Sequence, residues 1–201
     1  MSRLQDLCVG GALLVLTAPL QAAIALAVRI DLGAPVLFTQ TRLGRGGRPF
    51  TLHKFRTLPG GEVVAATRLG RWLRRLHLDE LPQLCDVLRG DMALVGPRPE
   101  VPDNLEAIDA ATRARLWQVR PGITGPTQLA FVAEDDVLAG LDESLAVYRR
   151  VLVPAKVQRD LQWLTRRTWW GDLGVLLRTP FVLLSPAARR RSRQLVASLL
   201  R

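Results

Sequence analysis

From Leu7 to Val28 the chain carries no charged residue (LCVGGALLVLTAPLQAAIALAV), and this run restricts what the N-terminus can become. As a helix it would extend about 33 Å, close to the hydrocarbon thickness of a bilayer. Arg3 and Asp6 precede it and Arg29 and Asp31 follow it, so the first forty residues are neutral. The formal charge of +10 therefore falls wholly on the rest of the 201-residue chain. Three arrangements compete for the apolar run. Its length suits a transmembrane span. Small residues around Ala22 and Ala23 would suit a cleaved signal peptide, although the preceding MSRLQD is hardly basic. A re-entrant helix is the third, and Pro19 favours it, because an internal proline removes a hydrogen bond and bends the axis. Arg3 and Arg29 would then share one headgroup layer, on the side of the basic domain.

Apolar residues make up 48% of the chain, enough for a substantial core. The two cysteines, Cys8 and Cys85, have neither the number nor the spacing of a disulfide scaffold or a zinc site. No phosphate-binding GxxxxGK[ST] loop, HExxH pair or dinucleotide fingerprint occurs. A surplus of cations points to a partner that carries negative charge. A nucleic-acid module is one such reading. It leaves the apolar N-terminus without a purpose, and with one Tyr and five Phe the base-stacking aromatics are sparse.

The remaining sequence reads as one mixed, mostly helical α+β domain. PVLFTQ (35–40) and PFTLHKF (49–55) are short strands, and the turn-rich LGRGGR between them makes a hairpin. Gly60-Gly61 marks a loop. Thr67 caps a helix running to about His77, with Leu69, Trp72, Leu73 and Leu76 on one face and four arginines on the other. Asp79 caps the next helix, with Pro82 in its first turn, and Gly90 ends it. Residues 91–99 (DMALVGPRP) are extended. Further helices are expected at Asp103–Val119 and Asp142–Thr168. Trp163, Trp169 and Trp170, beside Arg166 and Arg167, suit either a membrane-interface belt or a core. Arg189–Arg193 reads as a solvated or lipid-facing basic tail, and Glu134-Asp135-Asp136 as a solvated loop.

Chemistry is best sought where acid and base crowd together. Arg71, Arg74 and Arg75 share about one helical face and are followed at once by Asp79 and Glu80. A helix N-terminus at that point would favour anions, keep Asp79 ionised and attract a phosphate. The plainer alternative is that both carboxylates merely complement a helix end. Only Lys54 and Lys156 among 28 cations are lysine. Lys54, in HKFR, suits a compact point charge on a phosphate. His53 and His77 are expected to be structural.

Three blocks, FTLHKFRTL (50–58), LRRLHLDELPQLCDVLRGDMALVGPRPE (73–100) and VRPGITGPTQ (119–128), closely resemble the bacterial sugar transferases known as monotopic phosphoglycosyl transferases. The likeness extends from the N-terminal run through WWGDLGVLLRT, in the small catalytic-core form of the family. It implies transfer of a sugar 1-phosphate from a UDP-sugar to a polyprenyl (undecaprenyl) phosphate, with release of UMP. It further implies that Asp79 is the nucleophile, forming an aspartyl phosphosugar, and that Glu80 helps bind Mg²⁺. By the same resemblance Lys54 and Arg74 bind phosphate, and Arg120 is a further donor contact. Gly96, Pro97, Arg98 and Pro99 form a GPRP turn that shapes the pocket, and Asp91 orients the site or caps.

The implied architecture is a re-entrant membrane anchor over residues 1–32 and a catalytic domain over 33–201, on the cytoplasmic face of the bacterial inner membrane. Membrane lipids are then partners and nucleic acid is not. The family breaks its anchor at a Ser-Pro pair; here Ala18-Pro19 stands in that place, keeping the proline and losing the hydroxyl. Asp86 replaces a common Asn, Leu58 a common Met and Pro126 a common Trp, and the link from Thr57 to Arg68 is short. A catalytically inactive membrane scaffold is the alternative that the intact Asp79, Glu80, Lys54 and Arg74 argue against.

Overall fold

Helix α1 (Arg3–Leu32) turns the uncharged run into one continuous element. Ser2 opens it with a capping box: its hydroxyl accepts the Gln5 N–H, and the Gln5 side chain accepts the Ser2 N–H. The computed structural model describes residues 2–60, 65–105, 108–139 and 144–201. The break expected at Pro19 is not a break in the helix, which continues through it. Proline's fixed φ is compatible with the α conformation, so only its missing N–H is lost. Thr17 Oγ1 donates to Leu13 O at 2.7 Å, the side-chain-to-backbone bond that Ala18, without a hydroxyl, cannot make.

Both ends of α1 are fastened to the same domain. Arg3 donates to Val87 O and Leu88 O, and Asp6 accepts the Leu94 N–H at 3.1 Å. Near its other end, Ile24 and Val28 are buried with Phe55 and Leu73. Between these anchorages Val15, Leu16 and Leu20 are exposed. In its most apolar 18-residue window, mean hydropathy reaches 2.0 and only 11% of residues are buried. An apolar surface of this length left bare needs a nonpolar neighbour.

The hairpin forms as expected, with shifted bounds: β1 (Leu37–Leu43) runs antiparallel to β2 (Pro49–Phe55), pairing Leu37 with Phe55 and Leu43 with Pro49. Helix α2 (Arg68–Arg75) begins where Thr67 Oγ1 accepts the Gly70 N–H at 2.9 Å. Leu73 on its apolar face is buried, whereas Trp72 is half exposed. Of the expected Gly60-Gly61 loop, Gly61 lies outside the described residues.

Helix α3 (Gln83–Arg89) starts after Pro82 and ends at Gly90, whose φ of 99° is the left-handed stop anticipated there. Asp79 does not cap it. Instead Leu78–Glu80 form a tight 3₁₀ turn entered through His77 at φ 54°. The fully buried Asp86, in place of the common Asn, accepts from both the backbone N–H and Nδ1 of His53 and from Arg89. His53 is accordingly a structural strut between β2 and α3.

Strand β3 (Ala93–Val95) lies parallel to β4 (Gly122–Thr124), a pairing the sequence did not disclose. Two chains pass so closely here that a Cβ on Gly122 would lie 2.0 Å from Gly96 N. The single helix expected over 103–119 is instead a 3₁₀ turn (Pro102–Leu105) and α4 (Ala110–Leu116), capped by Asp109; residues 106–107 lie outside the described ones.

Short helices α5 (Pro126–Ala130) and α6 (Glu134–Leu138) follow. The helix expected from Asp142 has its first two residues outside the described set. It continues as α7 (Ser144–Val147), a π turn (Tyr148–Leu152) and α8 (Val153–Thr165). Pro154 lacks the N–H that would close the ladder there, and the widened turn lies just before it.

Helix α9 (Trp169–Leu184) carries the apolar C-terminal stretch, and α10 (Pro186–Leu199) carries the basic run. The tryptophans divide: Trp163 packs against the main core of Leu52, Leu84, Val87, Met92, Leu94 and Val95, while Trp169 and Trp170 are exposed. Arg167 stacks 4.7 Å from the Trp163 ring.

Candidate active site

Asp79 and Glu80 stand on the tight turn between α2 and α3, and both line a cavity of about 2150 Å³. His77 adopts the left-handed conformation, uncommon for a residue with a side chain, and this reverses the chain sharply enough to present both carboxylates inward. Lys54, on the adjoining strand β2, places Nζ 2.5 Å from Glu80 Oε1. Arg74, one helical turn before His77, also lines the cavity. The local motif therefore brings Lys54, Arg74, Asp79 and Glu80 into one site.

The two carboxylates are electrostatically unequal. Burial disfavours charge on both. For Glu80 it is outweighed by Lys54, Arg98 and His77, which hold its carboxyl down to about 2. For Asp79 burial prevails, aided by the neighbouring Glu80 charge, and its pKa is raised despite Lys54, His77 and Arg74. This corrects the expectation that a helix N-terminus keeps Asp79 readily ionised: α3 starts too late to supply one. No hydrogen bond or ion pair among the described residues engages the Asp79 carboxylate. A carboxylate so placed is poorly solvated, close to cations and available to an electrophile.

Arg98 plays a larger part than a turn residue would. It lines the cavity, and burial of its guanidinium is outweighed by Tyr148, Glu80, Glu134 and Glu100, which together raise its pKa. Its flanking residues shape the loop. Pro97 O accepts the Gly122 N–H at 2.8 Å, and Pro99 O accepts from Arg42 Nη1 at 2.9 Å. Gly96 N donates to Thr124 O at 3.0 Å, extending the β3–β4 pairing.

Two expected site residues lie elsewhere. Arg120 does not line the cavity; its Nε donates to Gly90 O at 2.8 Å, which commits the guanidinium to the C-terminus of α3. Asp91 is likewise outside the cavity lining, and its backbone N–H donates to Asp86 O at 3.1 Å, closing the end of the same helix.

The structure adds residues that local sequence did not mark. Glu134, Asp135 and Asp136 are helical and not a loop, although Asp135 and Asp136 are solvent-exposed as expected. They open α6, and each meets a cation: Glu134 contacts Lys156 Nζ, Asp135 lies 2.9 Å from Arg74 and Asp136 3.0 Å from Arg189. Lys156 is buried, 4.5 Å from the Tyr148 ring centroid, and donates to Tyr148 Oη at 3.2 Å. Tyr148 in turn donates to Glu100 at 3.3 Å. Arg42 also reaches the cavity and donates to Gln40 Oε1 at 2.6 Å. Lysine scarcity was the one signal pointing to Lys156.

As for a metal, the described residues contain no cluster of three or more His, Cys, Asp or Glu able to cage an ion. Lys54 takes Oε1 of Glu80, leaving the second oxygen of that carboxylate and both of Asp79 at the cavity. One or two carboxylates fit Mg²⁺ when it takes its other ligands from water and substrate phosphates.

The cavity lining combines charged and apolar side chains. Val9, Leu13 and Thr17 of α1 and Leu173, Leu176 and Leu177 of α9 line it together with the dyad.

The bacterial sugar transferase family matches residues 1–186. A UDP-glucose:undecaprenyl-phosphate glucose-1-phosphate transferase of Caulobacter vibrioides is 37% identical over 196 residues, covering 91% of this chain and 69% of that protein. A protein of the same name from Escherichia coli is 32% identical, over 90% of this chain and 39% of its own length. From Aeromonas hydrophila, a UDP-N-acetylgalactosamine-undecaprenyl-phosphate N-acetylgalactosaminephosphotransferase is 31% identical, over 85% of this chain and 40% of that protein.

Proposed function

The chain belongs to the bacterial sugar transferase family, and from that premise we propose that it is a phosphoglycosyl transferase moving a sugar 1-phosphate from a UDP-sugar to undecaprenyl phosphate. Such a step begins the membrane stage of glycoconjugate assembly. The observation that carries this reading is the pair of buried Asp79 and half-buried Glu80, which share with Lys54 and Arg98 a cavity also lined by apolar residues of α1 and α9. A soluble nucleotide sugar and a lipid phosphate must meet, and such a cavity suits both.

Two displacements account for the residues. An Asp79 carboxylate oxygen attacks the β-phosphorus of the donor, and the bond from that phosphorus to the bridging oxygen breaks. UMP leaves with the electron pair, and the sugar phosphate remains on Asp79 as an acyl phosphate. A phosphate oxygen of the lipid then attacks the same phosphorus, the bond to Asp79 breaks, and the carboxylate is regenerated. Lys54, Arg98 and Arg74 offset the negative charge that gathers as anions approach one another in a poorly hydrated site. Glu80, with Asp79 beside it, would hold Mg²⁺. When bound, that ion supplies charge neutralisation for the diphosphate and the departing nucleotide.

The membrane arrangement follows from α1. A perpendicular span would put its ends on opposite sides of a bilayer, yet both ends pack on one domain. A one-sided, re-entrant placement keeps that packing and buries Val15, Leu16 and Leu20 in lipid. Catalysis then proceeds at the cytoplasmic face of the inner membrane, where nucleotide sugars are available.

The decisive experiment loads the full-length protein, in membranes with Mg²⁺, with UDP-glucose or UDP-N-acetylgalactosamine and no acceptor. Peptide mass analysis is expected to find a hexose-phosphate or N-acetylhexosamine-phosphate adduct on Asp79 with the accepted donor, and none in Asp79→Asn. An unmodified Asp79 under conditions that support turnover overturns the mechanism.

A further inference from the structure

The basic run Arg189–Arg193 lies on α10, beyond the residue at which the family match ends. Far from trailing into solvent, α10 is docked on the domain. Val196 is fully buried, and Ser192 Oγ accepts the Ala133 N–H at 3.0 Å. This docking sets Arg189, Arg190 and Arg193 along the same cavity that Arg71, Arg74 and Arg75 line from α2. Arg189 bridges the two helices directly, donating to Arg75 O at 3.3 Å.

The two arginine rows are only partly neutralised. Asp135 pairs with Arg74, and Asp136 with Arg189 and, at 4.0 Å, with Arg193. Among the described residues Arg75 and Arg190 meet no carboxylate. The Arg74–Asp135 pair is exposed on both sides, and such pairs are weak, so a phosphate can displace Asp135 at little cost. Immediately before α10, Leu177, Phe181 and Leu184 of α9 are 61%, 75% and 69% exposed. Bare apolar surface thus runs directly into a double row of guanidiniums. A nucleotide would match the charge alone, whereas a phosphorylated lipid matches both halves.

We infer that the facing arginines of α2 and α10 hold the phosphate head of the lipid acceptor at the mouth of the cavity, while the exposed side of α9 takes the start of its hydrocarbon chain. The inference rests on the transferase reading above and gives the acceptor a docking site that adjoins the donor site around Lys54, Arg98 and the dyad and shares Arg74 with it. Since Arg74 also bears on the charge of Asp79, the docked phosphate stands next to the site of attack.

The test uses the full-length protein in phosphatidylcholine nanodiscs and compares it with Arg190→Gln/Arg193→Gln. Loss of charge-assisted hydrogen bonds to the phosphate predicts an acceptor KM raised about tenfold or more. Donor KM moves less than twofold, and Arg190→Lys/Arg193→Lys restores most of the loss. Binding of a fluorescent undecaprenyl phosphate without donor weakens in parallel, a readout independent of turnover. An unchanged acceptor KM overturns the inference, as does an equal rise in donor KM. So does an effect that appears only when anionic phospholipid is added, since the arginines would then serve bulk headgroups. If the unmodified protein releases no UMP from donor under these conditions, the transferase reading itself has failed. Normal release with a flat acceptor KM removes the docking site alone.

Discussion

Lys54 Nζ lies 2.5 Å from Glu80 Oε1, with both side chains less than one fifth exposed. The ammonium comes from the hairpin and the carboxylate from the α2–α3 turn, so one ion pair joins the two elements that build the site. Lys54 also lowers the pKa of Asp79, which burial and Glu80 raise.

Replacing Lys54 with Met therefore has two expected consequences. The rate of UMP release falls by about 10²–10³, the usual loss when one charge stabiliser leaves a preorganised site. In addition, the proposed attack by Asp79 needs its ionised form, so activity is expected to be lost as pH falls through that group's pKa. Without Lys54 that pKa lies higher, and the acid limb of the pH–rate profile moves toward alkaline pH. A limb that stays fixed would remove Lys54 from the electrostatics of Asp79.

Glu80→Gln moves the same limb the other way. It deletes the like charge beside Asp79 and releases Lys54 to act on Asp79 alone. The acid limb shifts to lower pH while the plateau drops and more Mg²⁺ is needed for half-maximal rate. A metal titration identical to that of the unmodified protein would show that Glu80 does not help hold the ion.

Gly122→Ala tests the close passage beneath the GPRP turn. A Cβ there would meet Gly96 N at 2.0 Å and Thr124 O at 2.6 Å, both backbone atoms that cannot step aside. A stability loss above about 3 kcal/mol is expected from such overpacking. Gly11→Ala in α1, with no atom within 4 Å of the added carbon, is the matched control and leaves the thermal midpoint unchanged or raised, since alanine is the better helix former. Equal midpoints for the two variants would contradict the β3–β4 geometry.

The one-sided anchor is tested by labelling. With Cys8 and Cys85 replaced by Ala, single cysteines at Ser2 and Thr39 are both expected to react with an impermeant maleimide from the cytoplasmic side. Reaction of the Ser2 position exclusively from the opposite side would establish a spanning helix.

Short-range signals were legible in the sequence. The hairpin followed from two β-rich segments around a glycine turn, Thr67 capped α2, and Gly90 ended α3. Each depends on residues a few positions apart, whose conformational preferences act before the chain has folded. The Asp79–Glu80 pair and its cations Lys54 and Arg74 were legible for the same reason, through compact motifs. Asp79 was nonetheless misread as a helix cap, because a turn through left-handed His77 competes locally with an earlier helix start.

What the sequence alone determined is an apolar N-terminal run, a basic mixed domain and the adjacency of Asp79 and Glu80, since neighbours in the chain remain neighbours in any fold. Tertiary structure decided everything that depends on distant segments meeting. It turned Arg120 toward Gly90, set Lys156 against Glu134, and folded the basic tail back across the cavity as α10. These contacts arise from burying apolar faces such as Val196 and Val28, and burial is nondirectional: composition announces that it will occur, while only the packed chain fixes which charges it brings together.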